Sequence, residues 1–140
     1  MNFDELKQLI DTAAGLYDFF LKGDMDQVNK IFDPKYEQIP PQRPGLEPGV
    51  ENFMKAYQEG FGSMFSNLKG TITHVIQNGD LVSVRGEYTM EHTGEAFGVA
   101  PTNKIVSFTA FDLHQIKNGK IIKTWHLEDF FTIMNQVKSD

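Results

Sequence analysis

The spacing of apolar residues changes period once, near residue 65, and that change confines the fold class. Upstream, Leu6, Leu9, Ile10, Ala13, Leu16, Tyr17 and Phe20 recur three and four apart, the stripe of one buried helix face. Asn2 and Glu5 have the spacing of a capping box, and Gly23 stands where a left-handed C-terminal cap is needed. A shorter helix follows, with Asp24 as N-cap, Gln27 as its partner and Val28, Ile31 and Phe32 buried; Asp33-Pro34 stops it. Residues 35–49, with Pro40, Pro41, Pro44 and Pro48, are expected to form a long stiffened loop. A third helix is predicted from Val50 to Gly62, burying Val50, Phe53, Met54 and Tyr57. Downstream, strand formers alternate through Thr71–Ile76, Val82–Tyr88, Ile105–Phe111 and Ile121–Ile122. Asn78-Gly79 and Asn118-Gly119 mark tight hairpins, and Phe130–Val137 is a closing amphipathic segment. Three helices followed by about four long antiparallel strands make a single α+β domain over 1–140, with helices on one face of a curved sheet.

Composition removes several function classes. Thirteen Lys and Arg against nineteen Asp and Glu give a net charge of −6, a field that repels phosphate backbones and disfavours nucleic acid as a partner. The absence of Cys excludes disulfides, thiolate metal sites and cysteine nucleophiles. No run approaches the ~20 apolar residues of a membrane span. Asp4 and Glu5 stand where a signal peptide would be basic, so a cytoplasmic location is expected, with no membrane partner.

Turn geometry proposes a site. If Asn118-Gly119 is a two-residue loop, Lys117 pairs with Lys120, and unbroken pairing places Asp112 opposite Trp125 and His114 opposite Lys123. Ala110 then faces Leu127, and Phe108 faces Asp129. Two carboxylates, a His and the only Trp would thus share a face with Phe108, Ala110 and Leu127, the makings of an apolar pocket with a few convergent polar groups. Thr109, Phe111, Leu113, Thr124, His126 and Glu128 would occupy the other face, with His126 a sheet-surface or interface residue. Tyr17 and Tyr57 are the helix-borne candidates for the pocket wall.

Each candidate also has a structural role open to it. Asp129 precedes a helical segment and suits an N-cap. Asp112 lies mid-strand between apolar residues and needs a partner such as Lys123 or a raised pKa. His114 suits a partly exposed strand position, His92 a turn, and Trp125 the core. The four His, at 74, 92, 114 and 126, have no metal-ligand spacing, and no phosphate-binding, dinucleotide or serine-nucleophile motif is present. Acid–base chemistry without metal or cofactor remains, or binding without chemistry.

Three stretches carry a family resemblance: Arg43-Pro44-Gly45-Leu46-Glu47-Pro48-Gly49, Glu91–Lys104 with His92-Thr93-Gly94, Phe97-Gly98 and Pro101-Thr102, and Gly119-Lys120-Ile121 followed by Trp125 and Asp129. Together they resemble the SnoaL-like polyketide cyclases of the nuclear-transport-factor-two-like superfamily, over nearly the whole chain. Ala100 departs from the family's usual Pro-Pro. The resemblance implies a cone: three N-terminal helices on a strongly curved, mainly antiparallel sheet of four to six strands, enclosing a pocket and dimerising through the outer sheet face. It implies cofactor-independent, intramolecular aldol-type chemistry on a small, largely apolar carbonyl compound, with Asp129 as acid/base. Asp112, His114 and His92 are its candidate partners, and Trp125, Phe108, Leu127, Tyr17 and Tyr57 the candidate substrate contacts. A non-catalytic small-molecule-binding domain of the same fold is the alternative.

Overall fold

The structure, a computed structural model, describes residues 2–15 and 22–140. The elements run α1 (Phe3–Gly15), α2 (Met25–Ile31), β1 (Phe32–Ile39), α3 (Val50–Glu59), a single turn α4 (Phe61–Met64), β2 (Phe65–Asn78), β3 (Leu81–His92), β4 (Ile105–Lys117), β5 (Lys120–Glu128) and α5 (Phe130–Lys138). Local chemistry sets most of the ends. The Asn2 carboxamide accepts from the Glu5 N–H at 2.8 Å while the Asn2 N–H donates to the Glu5 carboxylate at 3.1 Å. Asp24 accepts from the Gln27 N–H at 3.3 Å, and Gly23 takes φ +71°. Leu16, Tyr17 and Phe20 lie outside the described residues.

The five strands form one mixed sheet in the order β1-β5-β4-β3-β2, antiparallel except for β1 beside β5. The expected loop over 35–49 is therefore wrong in its first part. Phe32–Ile39 is a strand that contains Pro34, and a Pro is tolerated there because β1 is an edge. The sheet is also not strongly curled: it stays open, with β1 and β2 as its two edges. The first hairpin loop is Gly79-Asp80, one residue on from the expected pair, with Asn78 paired to Leu81.

Along β3, the even-numbered residues Val82, Val84, Tyr88, Met90 and His92 are buried. Across β4 the first four pair with His114, Asp112, Phe108 and Val106, giving one inner face against which the helices pack. The many aromatics form a spine. Phe32, Tyr36, Phe53, Tyr57, Phe61 and Phe65 follow one another at centroid distances of 4.7–5.8 Å, ending on the His92 ring.

Candidate functional site

The site is set by one irregularity. Lys117 pairs with Lys120 and Ile116 with Ile121, as the two-residue turn requires, but Gln115 pairs with Lys123. The extra residue in β5 is a β-bulge, and past it every side chain faces the opposite way from the uninterrupted register. Asp112 stands opposite His126, not Trp125; His114 opposite Thr124, not Lys123; Ala110 opposite Glu128, not Leu127. Thr124, His126 and Glu128 join the inner face, whereas Trp125 lies outward with Lys123 5.0 Å over its ring.

Between this face, the turn α4 and the Pro40–Gln42 segment lies a cavity of about 350 Å³. Tyr57 and Phe61 wall it from the helices, Tyr88 and Phe108 from the sheet, and His126 and Glu128 carry its charge. Asp112 lies behind His126, with 4% of its surface exposed. The His126 ring spans two carboxylates, Nδ1 2.5 Å from Asp112 Oδ1 and Nε2 3.2 Å from Glu128 Oε1. Burial alone would lower the proton affinity of His126, but hydrogen bonds and charge from Asp112 and Glu128 outweigh it and push the pKa up to about 10. With both nitrogens facing carboxylates, the ring has no lone pair to offer a metal.

Around this triad the remaining groups are held neutral. His114 is buried with Nδ1 2.7 Å from the Thr124 hydroxyl, and burial lowers its pKa against the pull of Asp112. Tyr36 also hydrogen-bonds Thr124, and burial keeps its phenol protonated. Burial raises the Tyr57 and Tyr88 phenols as well, helped by the charge of Glu128.

The sequence candidates are thus divided. Phe108, Tyr57 and Leu127 border the cavity, Leu127 from its rim. Asp112 and His114 lie on the inner face, and Trp125 on the outer one. His92 is elsewhere: buried at the end of the ring spine, its Nδ1 accepts from the Thr102 N–H at 3.3 Å and meets the Thr102 hydroxyl at 2.9 Å, so it fastens the 93–104 connection. Asp129 caps α5, accepting from the Thr132 N–H at 3.0 Å and the Thr132 hydroxyl at 2.6 Å. Those bonds hold its pKa below the usual aspartate value, and the carboxylate is exposed and outside the cavity. Sequence reasoning did not bring His126, Glu128 and Tyr88 to this cavity, which they line. The available signal was the doublet Ile121-Ile122, which breaks strand alternation where the bulge falls.

The sequence profile of the SnoaL-like polyketide cyclases matches residues 10–137. The chain belongs to this family. Among similar solved structures, IdmH of Streptomyces antibioticus, a candidate polyketide cyclase, is 25% identical over 94% of this chain and 99% of its own, with a TM-score of 0.74. A candidate polyketide cyclase of Bacillus cereus is 25% identical over 98% of this chain and 84% of its own, TM-score 0.69. TsrD of Streptomyces laurentii, at 19% identity and TM-score 0.77 over 98% and 96% of the two chains, shares the fold. No curated protein matches the chain. No helix among the described residues is long and apolar enough to cross a membrane.

Proposed function

We propose that this SnoaL-like chain is a cyclase- or isomerase-type enzyme acting on a small, largely apolar carbonyl compound, with its acid–base chemistry in the Asp112–His126–Glu128 triad. The observation that carries this reading is a carboxylate and an imidazolium side by side on the wall of an aromatic cavity. Glu128 removes a proton from the carbon next to the carbonyl. As Glu128 takes that proton its hold on the Nε2–H of His126 loosens, and the ring, kept cationic by Asp112, turns this N–H to the negative charge that develops on oxygen. The enolate adds to a second carbonyl of the same molecule, and Glu128 returns the proton to the resulting alkoxide. Asp129 fits the family's motif position but serves here as a helix cap. The pairing of both inner carboxylates with one imidazole favours the second reading, a binding domain without chemistry.

The two readings separate without knowledge of the natural substrate. Exchange of the α-protons of a small cyclic ketone with deuterated water, followed by NMR, reads enolate formation directly. The enzyme reading expects catalysed exchange that Glu128→Gln lowers by ~10²-fold or more while Asp129→Asn leaves it unchanged. No exchange above buffer supports the binding domain, and loss in Asp129→Asn restores the motif aspartate as the base. We also propose that two copies associate through the outer sheet face, where Phe111, Leu113, Trp125 and Leu127 lie together.

A further inference from the structure

The charge of the cavity wall has a consequence for what enters it. Its lining includes no Lys or Arg among the described residues; the ionisable groups on it are His126, Glu128 and the phenols of Tyr57 and Tyr88. His126 lies between Asp112 and Glu128 with a carboxylate at each ring nitrogen, so the triad sets two acidic side chains against one basic one. Arg85 and Lys123 on the outer face are each paired with a carboxylate of their own, Glu87 and Glu37. Two ring pairs line the same space. Tyr57 and Phe61 stack at 5.2 Å on the helix side, and Tyr88 and Phe108 at 5.3 Å on the sheet side. Aromatic faces attract cations, more strongly where water is excluded.

We propose that the cavity takes a ligand bearing a positive charge, an organic ammonium group seated against Glu128 and the surrounding aromatic rings. This inference rests on the cavity of the proposed function but not on its chemistry. If that function holds, the carbonyl compound carries a basic nitrogen. A carboxylate or phosphate ester would meet Glu128 with no lysine or arginine to receive it, and the cation on the wall, His126, already directs both ring nitrogens at Asp112 and Glu128, in a chain at −6.

The test compares ligands of one shape and three charges by NMR titration: 4-(trimethylammonio)phenol, its neutral isostere 4-tert-butylphenol, and 4-hydroxybenzoate. The ammonium compound is expected to bind about tenfold more tightly than the neutral isostere, and the benzoate more weakly than either. Glu128→Gln should abolish the preference while still binding 4-tert-butylphenol as the wild type does, which also shows that the variant is folded. Should it not fold, Phe108→Leu, which keeps the charge and thins the ring wall, must lower the preference instead. Equal or tighter binding of the neutral compound to the wild type overturns the proposal, as does no ammonium binding or a preference that survives Glu128→Gln. Cation preference without ketone exchange leaves this inference standing and removes the proposed chemistry; exchange without the preference does the reverse.

Discussion

A partly buried histidine that faces two carboxylates couples the site to the stability of the fold. The ordinary histidine pKa is about 6.5, and the folded chain holds His126 up at about 10. A raised folded pKa means that the native state binds the proton more tightly than the unfolded chain does, so its stabilising contribution is complete below pH ~6.5. That contribution should shrink steadily as pH rises and vanish near 10. Urea unfolding followed across this window should show the decline, and His126→Asn should flatten it. A wild-type stability that does not fall through the window would mean that His126 is not the shared cation described here. Part of this was legible in the sequence. A carboxylate between Phe111 and Leu113 demanded a partner, and the demand was right, but the partner named was Lys123 rather than His126. The identity depended on register, which lies one scale up.

At the scale of elements, the sequence reading succeeded where a signal was local and failed where pairing decided. The caps at Asn2 and Asp24 and the second hairpin follow from a few neighbouring side chains, and the first hairpin does so to within one residue. The β5 bulge does not, because Trp125 and Leu127 are the more hydrophobic alternate set and an uninterrupted register would bury them. The fold instead turns Thr124, His126 and Glu128 to the inner face, against local preference, and such conflicts gather at functional sites. β1 was hidden for a related reason: its Pro34 argues against a strand everywhere except at an edge. The family's His-Thr-Gly stretch has its own element-scale cause. Thr93 and Gly94 N–H groups both donate to the Met64 carbonyl, at 3.1 and 2.9 Å, and a Cβ at Gly94 would sit 1.7 Å from the Ser63 carbonyl oxygen. Backbone, unlike the tip of a side chain, cannot swing aside. Gly94→Ala is therefore expected to cost at least the ~3 kcal/mol at the upper end of overpacking, read as a lower urea midpoint at unchanged slope. A midpoint within error of the wild type would show that α4 and the 93–104 connection do not pack this closely.

For the whole molecule, the bulge that turns polar groups inward also turns apolar ones outward. Phe111 is 53% exposed, Leu127 73% and Trp125 36%, and cross-strand pairing sets Phe111 beside Leu127 and Leu113 beside Trp125. A patch of this kind on one sheet face marks a contact. The expected dimer face thus keeps Thr109, Phe111 and Leu113 but exchanges Thr124 and His126 for Trp125 and Leu127. Its few charges are matched within the chain, Arg85 with Glu87 at 3.1 Å and Lys123 with Glu37 at 3.2 Å, so a second copy meets little local repulsion there. What opposes association is the net charge of −6 on each copy, a longer-range term that salt screens. Association through this face should therefore tighten as ionic strength rises, the reverse of a contact built on ion pairs. Sedimentation at micromolar concentration should find dimers, and Phe111→Glu should yield monomers with an unchanged circular dichroism spectrum, since the side chain is outside the core. Monomers in the wild type at every salt concentration, or a dimer that survives Phe111→Glu, would show that copies do not meet on this face.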